Sequence, residues 1–92
     1  MIVHIGPYAF DVVSYDREGD VLYLRRGSRE LAANTIGTPE GHAVRLDEKG
    51  EVIGITLVNA KWLVERDGKI TVTVPRLIET NADDLARALA TA

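Results

Sequence analysis

The chain lacks cysteine altogether, and its 92 residues hold one phenylalanine, one tryptophan and one methionine. Without cysteine there is no disulfide, no Cys-based zinc site and no thiol nucleophile. Small secreted domains usually depend on such staples, so the expectation is a reducing, cytoplasmic setting. No apolar run approaches the ~18 residues that span a bilayer, which argues against a membrane protein. Met1 to Phe10 lacks the basic start and long apolar stretch of a signal peptide. A net charge of −3 gives no global attraction to nucleic acid, and few aromatics are available for base stacking.

Catalytic and metal motifs are also missing. Ser28 is not in G-x-S-x-G, no Gly-rich phosphate loop occurs, and the Ca²⁺ loop pattern is absent. His4 and His42 are the two histidines, with no H-x-x-x-H spacing. His4 reads as an ordinary strand residue and His42 as a solvated strand start. No cofactor or metal is implied, and no nucleophile, base and orienting group come together, so an enzyme is not expected.

What is abundant is β-branched: ten Val, seven Ile and seven Thr, the types that suit a pleated, half-buried surface. Four turn signals divide them. Asp16-Arg17-Glu18-Gly19, Thr38-Pro39-Glu40-Gly41 and Asp47-Glu48-Lys49-Gly50 open with a residue that can bond the turn backbone and end on a glycine that can take positive φ. Asp67-Gly68 is a two-residue hairpin signal between Leu63-Val64-Glu65 and Ile70-Thr71-Val72. Turn chemistry likewise accounts for Asp16, Asp20, Asp47 and Glu51.

The strands differ in pattern. Ile70 to Val74 alternates cleanly, which predicts one wet face. Val21 to Leu24 and Val52 to Val58 are apolar on both faces, which predicts cover on both sides by a helix, a second wall or another subunit. Gly54, in mid-strand, signals a bulge, a bend or a close backbone approach. Pro75 ends the last strand. Thr80 or Asn81 can then cap a helix over Ala82 to Ala92, with Ala82, Leu85, Ala86 and Leu89 as its apolar stripe. The sequence therefore predicts one small α+β domain over residues 1–92. Its architecture is a mostly antiparallel β-meander of about six to eight short strands with one C-terminal helix.

Two contact sets stand out. Trp62, Leu85 and Leu89 are candidate interface residues, because an aromatic anchor and a short amphipathic helix both need something to dock on. Trp62 also reads as core. Arg25, Arg26 and Arg29, with Arg45, form a candidate anion-binding set, since guanidinium groups match phosphate and carboxylate geometry.

The order Y-D-x-x-x-D-x-L-Y-L, from Tyr15-Asp16 through Asp20 to Leu22-Tyr23-Leu24, is followed by Gly41, Val44 and Leu46. D-x-x-G-x-V-x-G-I then runs from Asp47 through Gly50 and Val52 to Gly54-Ile55, with Leu57 and Ala60 beyond it. This pattern resembles the small-protein family called domain of unknown function 2283, over about Tyr15 to Lys61. Arg25-Arg26-Gly27-Ser28 departs from the family pattern. The part from about 62 to 92 adds a hairpin and helix to the family-like core. The resemblance carries no catalytic residues. It implies a compact β-rich or α+β fold, a bacterial or archaeal origin and self-association. Through the genomic setting of some members, it also implies an antitoxin-like partnership with a small toxin.

Two readings follow. In the first, the chain is a non-enzymatic protein–protein interaction domain forming a homodimer or higher homo-oligomer, or pairing with a small protein partner. In the alternative it is a small anion- or ligand-binding module using the arginine cluster.

Overall fold

Short turns marked by Gly and Asp cut the chain into hairpins. The computed structural model describes residues 2–27, 34–73 and 78–90. Its elements in order are β1 (Val3–Ile5), β2 (Tyr8–Phe10), β3 (Val12–Asp16), β4 (Val21–Arg25), β5 (Asn34–Gly37), β6 (Ala43–Leu46), β7 (Val52–Val58), α1 (Ala60–Asp67), β8 (Lys69–Val72), β9 (Ile78–Asn81) and α2 (Ala82–Leu89). The class is α+β, mostly antiparallel strands with few helices.

Most strand pairs join neighbours in the chain, and the pairing of β4 with β7 is the long-range one. The central five-stranded sheet has the order β3-β4-β7-β6-β5, flanked by the β1-β2 and β8-β9 hairpins. All of its pairings are antiparallel. The predicted turns form as expected at Thr38–Gly41 and Asp47–Gly50, each closed by a glycine N–H donating to the first residue's carbonyl at 3.0 Å. The first turn differs: Asp20 takes the positive φ of 54°, not Gly19. At Gly19 an added Cβ would stand 2.8 Å from Asp16 Oδ2, the tip of an exposed side chain that can move aside.

One sheet face is the core. Tyr15, Leu22, Leu24, Val44, Val52, Ile55 and Leu57 are buried on it, together with Val3, Ile5 and Phe10 from the first hairpin. Ala60 and Val64 from α1, Ile70 and Val72 from β8, and Leu85 and Ala88 from α2 complete the cluster. Helix α2 packs on β1, β3, β9 and α1.

Three expectations are corrected. Leu63-Val64-Glu65 is not a strand before an Asp67-Gly68 hairpin. It belongs to α1, whose C-terminus Gly68 closes at φ 74° with its N–H donating to the Val64 carbonyl. The chain therefore has a second helix besides the C-terminal one, and β8 pairs with β9. The α2 stripe is Leu85, Ala88 and Leu89, while Ala86 is exposed. Thr80 is a buried strand residue with an unpartnered hydroxyl, so it does not cap that helix. Val74 and Pro75 lie outside the described residues.

Of the three covers expected for the second face of β4 and β7, neither a helix nor a second wall is supplied by the described residues. Ile53 is an extra residue in β7, since Arg45 pairs with Gly54 and Leu46 with Val52. This bulge turns Val52 to the same side as Ile55 and Leu57, which the unbroken alternation does not predict. On the other face, Tyr23 and Val58 remain 47% and 36% exposed. Among the described residues the sheet is thus packed on one side and open on the other.

Candidate functional site

The open face is a grid set by strand register. Val12, Arg25, Gly54 and Arg45 form one row across β3, β4, β7 and β6, with Thr35 of β5 beyond. Ser14, Tyr23, Thr56 and Ala43 form the next row. Asp16, Val21 and Val58 form the third. Alternation along each strand turns these side chains away from the core. A groove of about 390 Å³ lies on the first two rows, lined by Val12, Ser14, Tyr23, Leu24, Arg25, Arg45 and Thr56.

Gly54 stands between Arg25 and Arg45, two residues of the groove's lining. A Cβ there would stand 3.4 Å from both Arg25 Cβ and Arg45 Cδ, and 3.1 Å from the Leu24 carbonyl oxygen. The bare backbone therefore leaves room for two arginine side chains to converge from opposite sides. Arg25 donates to the Gly27 carbonyl, and both arginines are half-buried. Arg26, one residue on, belongs elsewhere. It lies 3.7 Å from Glu51 and lines a separate cleft with Pro7 and Tyr8. Arg29 lies outside the described residues. The predicted arginine set is thus divided: Arg25 and Arg45 come together, and Arg26 does not join them.

The predicted interface set is also divided. Trp62 is 53% exposed on α1, with the Arg66 guanidinium 4.4 Å from its ring centroid. It is a surface residue of a helix and not part of the core. Leu85 is fully buried in the chain's own core, and Leu89 is half-buried against it, so the α2 stripe docks internally.

Sequence reasoning missed the role of Asp20. Its Oδ1 accepts the Lys61 N–H at 2.8 Å and the Tyr15 hydroxyl at 2.6 Å, and its Oδ2 accepts the Trp62 N–H at 3.1 Å. Its carbonyl accepts the Ala60 N–H at 3.0 Å. Asn59, at the helix boundary, has a left-handed backbone and makes no side-chain cap. Asp20 therefore closes the start of α1 in its place. Burial works against the charge on Asp20, but the hydrogen bonds from Tyr15, Lys61 and Trp62 outweigh it and hold the carboxyl below its ordinary range. Burial, and then the Asp20 carboxylate, push the Tyr15 hydroxyl up to about 12. The signal in the sequence was Tyr15 and Asp20 themselves, both part of the family-like pattern.

His42 is a further correction. It is not solvated but 3% exposed, with Nδ1 accepting the Val58 N–H at 3.0 Å and Nε2 unpartnered. Burial lowers its pKa, with Glu40 opposing. Glu40 itself accepts from the Thr73 backbone N–H at 3.1 Å and from the Thr73 hydroxyl, tying the β5–β6 turn to the end of β8. His4 is an exposed residue of β1, as expected. Among the described residues no three His, Asp or Glu side chains converge as a metal site. No helix among them is long and apolar enough to cross a membrane.

No curated protein matches the chain, and no solved structure does. Residues 13–61, which hold the turn of Asp20, the grid of β3, β4, β6 and β7 and the start of α1, match the family model described as Protein of unknown function (DUF2283), and the chain belongs to that family.

Proposed function

We propose that this chain is a non-enzymatic interaction domain that self-associates through the open face of its five-stranded sheet. The observation that carries this reading is the exposure of Tyr23 and Val58 on strands whose opposite face is fully buried. Val12, Val21 and Ala43 extend the apolar area around them. An exposed aromatic in an aliphatic patch is the usual anchor of a protein contact. A second copy of the chain supplies a matching sheet. Face-to-face packing of two sheets is an established core arrangement, and two-fold dimers are the commonest assemblies. A small protein partner, as the antitoxin-like setting of some relatives implies, would compete for the same face.

Light scattering at micromolar concentration tests this. The expected mass is about twice the 10.1 kDa of one chain. Tyr23→Glu is expected to give the single-chain mass, and Trp62→Ala to leave the dimer unchanged. A wild-type protein that stays at 10.1 kDa overturns the reading.

A further inference from the structure

We infer that Arg25 and Arg45, set on either side of Gly54, form a binding site for a small-molecule oxyanion. The ligand would be a phosphate or carboxylate joined to an apolar or aromatic body. The site goes beyond self-association but shares Val12 and Tyr23 with the face proposed for it, so a bound ligand and a second copy compete for that part of the sheet.

The register makes the pair. Arg25 and Arg45 both stand opposite Gly54, from the strands on its two sides, and both side chains leave the same face. A residue with a Cβ between them would fill the space that they share, at 3.4 Å from each. Glycine in the interior of a strand weakens the sheet, and it commonly marks a place where something approaches the backbone closely. Here the adjoining bulge at Ile53 adds to that local departure from regular pairing.

Among the described residues no acidic side chain pairs with the charges on this row. The Arg45 side chain makes no ion pair or hydrogen bond with any described residue, and the bond that the Arg25 side chain donates goes to a neutral carbonyl. Both arginines line the same groove, so an oxyanion bound there would be attracted by two cations at once. Asp16, the acidic residue of the grid, lies at the far end of β3, two rows away. Arg26 shows the contrast, since Glu51 already answers its charge.

The rest of the groove fits a body behind the charged group. Ser14 and Thr56 offer hydroxyls, and Tyr23 and Val12 offer an aromatic and an aliphatic wall. Its volume of about 390 Å³ suits a molecule with a ring and one anionic group.

Titration calorimetry at low ionic strength with phenyl phosphate and with benzoate tests the site, and the tighter of the two identifies the head group. The wild type is expected to bind at least one of them, more weakly as salt is raised. Arg45→Gln is expected to weaken binding about tenfold or more, the loss typical of a charge-assisted hydrogen-bonded contact. Arg26→Gln is expected to leave it unchanged. Circular dichroism on each variant checks folding, and the mass of each is measured in parallel, so failure of this site is distinguishable from failure of self-association. No binding of either probe to the wild type overturns the inference. So does equal binding by Arg45→Gln, or an equal loss in Arg26→Gln.

Discussion

The carboxylate of Asp20 accepts the amide hydrogen of Lys61 at 2.8 Å, so a residue 41 positions earlier closes the start of α1. Orphan amides in the first turn of a helix are normally met by the residue just before it. Here the cap comes from the β3–β4 turn, and it locks helix and sheet together. Asp20→Ala removes a helix cap and leaves the Tyr15 hydroxyl without its acceptor. The expected loss is about 1–2 kcal/mol in urea unfolding. Asp20→Asn keeps an acceptor and tolerates the left-handed backbone, so it should lose less.

Alkaline titration should expose the same pair. Tyr15 is held at about 12 in the folded chain, above its ordinary value of 10.0. A raised folded pKa means that the stabilisation is full below pH 10 and is lost as pH rises from there through about 12. Urea midpoints measured from pH 9 to pH 12 should fall, and Tyr15→Phe should flatten that part of the profile. An unchanged slope in the variant would assign the loss to other groups.

His42 should act at the other end of the scale. Its Nδ1 accepts from Val58, so the neutral ring is the form that fits, and burial keeps its pKa below the ordinary 6.5. The unfolded chain therefore takes up the proton first. Stability from this group is full above about pH 6.5 and declines as pH falls from there toward the folded value. His42→Phe should remove that decline, while losing the acceptor for the Val58 amide. Thermal midpoints between pH 7 and pH 5 measure both effects.

Gly54→Ala should destabilise, although a strand interior ordinarily prefers alanine to glycine. The added Cβ would lie 3.1 Å from the Leu24 carbonyl oxygen, a backbone atom held in the β4–β7 ladder. Overpacking of this kind costs about 1–3 kcal/mol. A variant as stable as the wild type would show that the two strands can part without loss.

Local chemistry made much of the fold legible. The β-branched excess, the glycine-closed turns and the alanine-rich end are short-range signals, and they carry the α+β class, most of the hairpins and α2. Gly54 was legible as an irregularity, because a glycine inside a strand packs no side chain and commonly marks a bulge or a close approach. Helix α1 was not legible. Its eight residues include β-branched Val64 and aromatic Trp62, Asn59 supplies no side-chain cap, and the Asp67-Gly68 pair that ends it also suits a hairpin. Distance along the chain hid the sites: Arg25 and Arg45 are separated in sequence, and it is pairing through β7 that makes them neighbours.

The sequence by itself determined the class, the turns at Thr38–Gly41 and Asp47–Gly50 and the absence of disulfide and thiol chemistry, because these depend on residue type and near neighbours. Tertiary structure alone decided which sheet face is buried, which arginines converge, that His42 is buried and that Asp20 caps a helix. Each of those depends on pairing through β7, with β4 on one side and β6 on the other, and the β4–β7 contact joins segments about thirty residues apart that no local propensity specifies.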